Sequence, residues 1–359
     1  MKKIGIMTTG GDCSGLNTTM HRIAAGAFRR GWQLVGIKDG TDGLSRVNPD
    51  IVKFDANTLP VENARLSGSF LCNGRPGAHN FETVAKSGKH LQFNKRLKQS
   101  LEKLQLDALV LIGGNGSLSL AHKHRWIYSG LSLVCIPKTI DMDIPMTDAT
   151  IGFATAVQQL VSFCDQLILT ARSHHRWFVV QTMGRDSGAL ALNAGVAVGA
   201  DAILMPEIKF NADKLVDHVK NCGRDYGIIL VSEKISLRGH SGKPADMISR
   251  KLTGAGIANR TAFPEHIQRA GDTSAADRLL ASAMADCALN AIENNETYVM
   301  TAMRGGRCVT ITLEDFFAAG DIVKDPKIPN MEVSNAYVSP DDPLLDIAAN
   351  MGAYIGEMK

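Results

Sequence analysis

No stretch of this chain approaches the roughly twenty uninterrupted apolar residues of a membrane span, so no transmembrane helix is expected. No lysine- and arginine-rich run with interleaved aromatics occurs, and the net charge is only +3, which argues against a nucleic-acid partner. C-x-x-C pairs and metal-ligand spacings are missing too. The seven cysteines (Cys13, Cys72, Cys135, Cys164, Cys222, Cys287 and Cys308) are scattered and odd in number, the pattern of reduced thiols in a cytosol. Residues 1–6 pass straight into a strand pattern without a long apolar region, so no signal peptide is expected and a cytoplasmic protein is. The first glycine-rich turn lacks both the Gly-Lys-Ser/Thr ending of a Walker A loop and the G-x-G-x-x-G spacing of a dinucleotide site.

What is present suits a globular α/β protein. At 359 residues, 45% hydrophobic and 21% charged, with 34 glycines, the chain is long for one compact core and rich in tight strand-to-helix turns. Strands are expected at 3–9, 33–39, 107–112, 131–136, 176–182, 202–205 and 227–232. Helices are expected from the first turn to about residue 30 and at 93–104, 148–170, 189–199, 213–222 and 274–294. A hairpin at 298–312 turns at Arg304-Gly305-Gly306-Arg307. Residues 47–77 read as irregular, and 238–253 as a polar surface loop. Strand and helix alternation predicts mostly parallel sheets covered by helices.

Chemistry-bearing residues gather where strands give way to turns. Gly10-Gly11-Asp12-Cys13-Ser14-Gly15 follows the first strand, and Gly113-Gly114-Asn115-Gly116-Ser117 follows the strand at 107–112. Glycines between a strand and a helix start let backbone amides approach a phosphate, and the helix dipole favours the anion. The run at 131–136 ends in Pro137-Lys138-Thr139-Ile140-Asp141-Met142-Asp143. One carboxylate of such a pair can take a proton from a hydroxyl while the other helps to hold a divalent cation. Arg75, after the small-residue loop at 66–74, could pair with a phosphate.

Taken in order, these motifs resemble the phosphofructokinase family over nearly the whole chain. Met183-Gly184-Arg185, Pro206-Glu207-Ile208, His266-Ile267-Gln268-Arg269 and Asp277-Arg278 also match its pattern. The resemblance implies two Rossmann-like three-layer α/β domains with mostly parallel sheets. A phosphoryl-donor domain would comprise 1–150 and about 268–312, and a sugar-phosphate domain 151–267 and about 313–359. It implies Mg2+-dependent phosphoryl transfer from ATP to the 1-hydroxyl of fructose 6-phosphate, a glycolytic kinase reaction. Asp141 would be the general base, flanked by Thr139, with Arg185 and the Gly11 amide stabilising the transferring group. Met183, Gly184 and Glu233 would hold the sugar, and Arg176, Arg260, His266 and Arg269 its 6-phosphate. The donor would lie against Gly11, Arg75, Gly114, Asn115, Gly116, Ser117 and Lys138, and the metal against Asn115 and Asp143. Two arginines matching Arg176 and Arg260 reach in from a neighbouring subunit in this family, which implies a homodimer or homotetramer with shared sites.

The chain departs from the family pattern at several places. Asn115 stands where an aspartate usually helps to bind magnesium, and an amide oxygen is the weaker ligand for a hard cation. Met142 replaces the usual asparagine between the two aspartates, and Thr41 a tyrosine of many ATP users. Ser67-Gly68 replaces Gly-Gly, and Glu265 and Ala270 replace glycines. His21, Ala25 and Ile168 occupy the positions of effector-site arginines, so control by ADP or phosphoenolpyruvate there is not expected. Gly116 leaves room for the α-phosphate of ATP, whereas Lys138 is typical of pyrophosphate users. A blocked pocket discriminates more than an added charge, so ATP is the expected donor and pyrophosphate the alternative. Further alternatives are another sugar phosphate, such as sedoheptulose 7-phosphate, and a non-catalytic sugar-phosphate-binding paralogue.

Overall fold

The computed structural model describes residues 1–73, 90–236, 242–324 and 332–357. Two compact units are built from interleaved segments: 1–139 with 144–152 and 271–336, and 140–143 with 153–270 and 337–359. Residues 313–336, expected with the second unit, pack with the first. Arg75 lies outside the described residues.

The first unit is built on an eight-stranded sheet. Its strands are β1 (Lys3–Thr8), β2 (Gln33–Ile37), β3 (Ile51–Lys53), β4 (Ala108–Gly113), β5 (Ser132–Thr139), β6 (Ile151–Gly152), β11 (Val299–Arg304) and β12 (Arg307–Thr312). The order is β12-β11-β5-β4-β1-β2-β3, with β6 paired to the end of β5. Pairing is parallel except at the two edges, β2 with β3 and β11 with β12. Every residue of β4 is buried, as expected for a parallel strand covered on both faces. Aliphatic side chains of β4 and β5 join Leu97, Leu118, Tyr128 and Phe316 in one core cluster. Within the second unit, β7 (Trp177–Thr182), β8 (Ala202–Leu204), β9 (Gly227–Ser232) and β10 (Asn259–Ala262) form an all-parallel sheet in the order β10-β7-β9-β8. The two-stranded sheet of β13 (Asp321–Lys324) and β14 (Glu332–Asn335) belongs to the first unit.

Three expectations are corrected. β5 runs on through Pro137 to Thr139. Proline removes a ladder donor, and Pro137 falls where this costs nothing on one flank: β11 pairs with Val134 and Cys135, and β6 with Lys138 and Thr139. Residues 244–254, read as surface loop, form a helix. Pro244 occupies its first turn, where a missing N–H is harmless, and Ala245, Ile248 and Leu252 bury one face. The irregular region contains β3 and a short helical turn at Val61–Ala64.

Gly152 joins β6 to the long helix Phe153–Ser173 at φ +102°, and its N–H donates to Asp277 Oδ1 at 3.0 Å. A Cβ there would lie 2.5 Å from Cys13 Sγ, whereas one at Gly130, also at positive φ, would meet nothing within 4 Å. Gly152→Ala is expected to destabilise by about 2 kcal/mol more than Gly130→Ala, because only the former adds overpacking to backbone strain. Urea midpoints at unchanged m check this; equal losses would locate the cost in φ alone.

Candidate active site

Three strand ends of the first unit converge on one sheet edge. Thr8 of β1 is in register with Ile112 of β4, and Gly113 of β4 with Pro137 of β5. Both glycine turns and the end of β5 therefore open on the carboxyl edge of the same sheet, the usual ligand edge of such folds. Thr9 N donates to Ile112 O at 2.9 Å, and Thr9 Oγ1 donates to Ser117 Oγ at 2.6 Å, which tie one turn to the other. The helices that follow, Leu16–Arg29 and Asn115–Lys123, begin at Gly15 and Gly114 with neither a side-chain cap nor an acidic residue in the first turn. Their leading amides and dipoles thus favour an anion.

Lys138 lies on this edge. It is buried, and its Nζ donates to Gly11 O at 2.5 Å. An ammonium held against the first glycine turn adds a fixed positive charge beside the helix starts. A Cβ at Gly114 would approach Lys138 O to 3.2 Å, so the second turn leaves little space between itself and β5. Gly116 and Ser117 lie half-buried in the first turn of the helix. Thr139 is buried, and its carbonyl accepts from Thr150 Oγ1 at 2.8 Å.

The second unit holds the carboxylate pair. Asp141 and Asp143 are each 6% exposed, with Met142 between them at φ +52°. That left-handed conformation is one that asparagine adopts more readily than methionine. Burial, then the charge of Asp143, push the carboxyl of Asp141 up to about 7, while Arg269 and Arg185 pull it down and Glu233 pushes it up. The structure thus brings Asp143, Arg185, Glu233 and Arg269 within electrostatic reach of Asp141. Arg185 also has a left-handed backbone, at φ +51°, and its N–H donates to Glu233 Oε1 at 2.8 Å. The turn is braced a second time at Met183, whose N–H donates to Gln268 Oε1 at 3.0 Å, with Gly184 buried between. Gln268 is 1% exposed and its bracing role was not read from the sequence, although it sits inside a quoted motif.

Two expected phosphate ligands stand apart from this cluster. Arg176 precedes β7 and Arg185 follows it, so β7 puts on the order of 20 Å between them at about 3.3 Å per residue. Arg260 pairs in register with Phe178, at the same amino end of the sheet as Arg176, and is exposed. His266 is exposed on the short helical turn Glu265–Arg269. Within one chain, Arg185 and Arg269 face Asp141, and Arg176 and Arg260 do not.

The donor set suits a magnesium ion only in part. Asp143 is a buried carboxylate next to the candidate base, and Mg2+ is characteristically held by one or two carboxylates and otherwise by substrate phosphates and water. Among the described residues no group of three or more His, Cys, Asp or Glu could form a cage. Asn115 fits poorly as a ligand. Its amide oxygen accepts from Ser119 Oγ at 3.2 Å and its amide nitrogen donates to Asn335 Oδ1.

Anion-cradling helix starts and a buried carboxylate among arginines are the parts that phosphoryl transfer to an alcohol requires. The family model for phosphofructokinase matches residues 3–292. An ATP-dependent 6-phosphofructokinase 1 of Nostoc sp. is 34% identical over 376 residues, covering 99% of this chain and 99% of its own. A pyrophosphate–fructose 6-phosphate 1-phosphotransferase of Dictyoglomus thermophilum is 31% identical over 87% of this chain and 92% of its own. Among solved structures, pyrophosphate-dependent phosphofructokinase from Nitrosospira multiformis matches in fold with a TM-score of 0.77 at 17% identity, over 100% of this chain and 93% of that one. The Saccharomyces cerevisiae phosphofructokinase matches with a TM-score of 0.75 at 24% identity, and this chain spans 48% of that longer chain. The chain belongs to the phosphofructokinase family. No helix among the described residues is long and apolar enough to cross a membrane.

The raised Asp141 sets a sign for stability against pH. Between an ordinary carboxylate near 3.8 and the folded value of about 7, the native state keeps a proton that the unfolded chain has released. Stability from this group therefore falls as pH rises through that window. In chelator-treated protein, Asp141→Asn should gain on the parent by about 1–3 kcal/mol between pH 4 and pH 7.5. Urea unfolding at both values checks it, and a difference independent of pH would show that the carboxylate is not destabilised by its surroundings.

Proposed function

We propose that this chain is a 6-phosphofructokinase: a cytoplasmic, Mg2+-dependent enzyme that transfers a phosphoryl group from ATP to the 1-hydroxyl of fructose 6-phosphate. The observation that carries this reading is the buried Asp141 carboxylate, raised towards neutrality and set among Arg185, Arg269 and Glu233. A general base works best with a proton affinity near the working pH. The donor's phosphates would lie on the amides of the two glycine turns and against Lys138, in the unit formed by 1–139, 144–152 and 271–336. The sugar phosphate would lie in the other unit. Asp141 would accept the proton of the 1-hydroxyl, leaving an alkoxide-like oxygen to attack. Arg185, its backbone pinned by Glu233, would meet the charge that develops on the equatorial oxygens of the transferring group. Met183, Gly184 and Glu233 would orient the sugar, and Arg269 would pair with its phosphate. When bound, Mg2+ would neutralise the donor's phosphates, with Asp143 as its protein ligand.

ATP is preferred as donor because the first turn of the helix at Asn115–Lys123 presents Gly116, with no side chain in the way of an α-phosphate. The Lys138 ammonium on Gly11 O favours pyrophosphate as the second reading, since a compact, highly charged donor gains most from a fixed cation. Parallel assays with the two donors decide between them, and turnover with pyrophosphate alone would reverse the preference. Asp141→Ser should lower kcat with ATP and fructose 6-phosphate by about a thousandfold or more while fructose 6-phosphate still binds. Undiminished turnover would remove Asp141 from the role of base.

The placement of Arg176 and Arg260 supports a homodimer or homotetramer in which a second copy completes the 6-phosphate site. Arg260→Ser should raise KM for fructose 6-phosphate about 10- to 100-fold and leave the donor KM unchanged. Mixing it with Asp141→Ser after dissociation and reassembly should restore turnover, because some hybrid sites then carry Asp141 from one chain and Arg260 from another. A mixture no more active than its parts would place both residues in the same chain's site.

A further inference from the structure

The helix that begins at the second glycine turn is held at both ends by the hairpin near the carboxyl end of the described chain. At its first residue, Asn115 is 3% exposed, with its amide nitrogen donating to Asn335 and its amide oxygen accepting from Ser119 one turn along. At its last residue, Lys123 Nζ pairs with Glu332 Oε2 at 3.0 Å. Glu332 and Asn335 open and close β14, a strand of four residues that spans about 10 Å at 3.3 Å per step. The helix from 115 to 123 rises about 12 Å at 1.5 Å per residue, so the strand lies along its full length. Asn335 is 6% exposed and paired in register with Asp321 of β13. A helix two and a half turns long thus carries a strand that grips its first side chain and its last. The first side chain also belongs to the middle residue of the donor turn.

The chemistry of the grip is informative. Two neutral amides bond without net charge, so the contact needs no counter-ion in a buried place. With one end of the Asn115 amide on Asn335 and the other on Ser119, the side chain is oriented by protein partners before any ligand arrives. We propose that Asn335 is a positioning residue for the donor turn, and that position 115 serves here as a hydrogen-bonded tie to the carboxy-terminal hairpin in place of a cation ligand. The inference rests on the donor site assigned above to residues 113–117.

Removing the acceptor from Asn335 leaves a buried amide donor unsatisfied in the middle of that turn. Asn335→Ala should therefore weaken donor binding roughly five- to fiftyfold. Asn335→Gln keeps a neutral amide acceptor there and should bind donor within about threefold of the parent. Binding is read by calorimetry with ATP and with pyrophosphate, and KM for fructose 6-phosphate should stay within about twofold throughout, since the sugar phosphate is assigned above to the other unit. Mn2+ titration followed by electron paramagnetic resonance supplies the second readout. Asn115→Ala should leave Mn2+ affinity of the donor-free protein unchanged, whereas a tenfold loss would restore Asn115 as a ligand and overturn the proposal. Equal loss of donor binding in Asn335→Ala and Asn335→Gln, accompanied by a loss of fructose 6-phosphate affinity, would mean general damage to the fold and overturn it also. So would no change in Asn335→Ala. A parent protein that binds neither donor sinks the phosphotransferase reading and this inference together, while a parent that binds donor beside unaffected variants sinks this inference alone.

Discussion

Two carboxylates separated by a single residue, both withdrawn from water, make up the arrangement that the rest of the second unit has to accommodate. Asp141 and Asp143 repel each other and neither keeps its hydration. The chain bends between them through a left-handed methionine and sets two arginines within electrostatic reach of Asp141. Those arginines are in turn held by structure: Arg185 by a strained turn whose amides are taken up by Glu233 and Gln268, and Arg269 by the end of the short helical turn that Gln268 also braces. Strain at Met142 and Arg185 is of the kind that survives only where surrounding contacts over-determine the backbone. Here those contacts come from the Glu233 carboxylate and from the buried amide of Gln268, a neutral side chain that looks like an ordinary core residue.

In the first unit the controlling constraint is register. Parallel pairing of β1, β4 and β5, fixed by residues buried on both faces, brings two glycine turns and the end of β5 to one edge with no help from the polar side chains themselves. A slip of one residue in β4 would exchange its two buried faces and misfit Leu109 and Leu111 in the close-packed cluster they belong to, so the core enforces the alignment of the turns. Lys138 leaves a buried strand next to the first turn and donates to a carbonyl of that turn.

Much of this was legible because it is local. A glycine cluster between an apolar run and a helical pattern, or a Pro-Lys-Thr-x-Asp-x-Asp run after a buried strand, carries its meaning in consecutive residues, and these led to the fold class and to the cluster at Asp141. Legibility failed in two ways. Weighting punctuation over pattern hid the helix at 244–254: glycine and serine before Pro244 suggested a loop, although Ala245, Ile248 and Leu252 already had helical spacing. Stopping the strand at Ile136 left Pro137 outside it, although on one flank β11 and β6 leave a gap at that very step. The second failure is one of distance along the chain. Asn115 and Asn335 meet across 220 positions, and Gly152 and Asp277 across 125. Neither pair has a spacing that a single sequence can display, and asparagine and aspartate are too common for composition to mark them.

Charge balance favours the proposal that a second copy completes the site. A phosphomonoester at neutral pH carries close to two negative charges, and it would approach a region that already holds Asp141, Asp143 and Glu233 against Arg185 and Arg269. Adding such a substrate to three carboxylates and two guanidinium groups leaves the ensemble strongly negative in a place of low dielectric, where uncompensated charge is most expensive. Protonation of Asp141 relieves part of this in the resting state, but a base must give that proton up to work. Further cations are required, and Arg176 and Arg260, which could supply them, are exposed or half-buried at the opposite end of the strands from Arg185. Such a placement is wasteful for one chain and economical for two related by symmetry, since each copy can offer its outlying arginines to a neighbour whose carboxylates lack them.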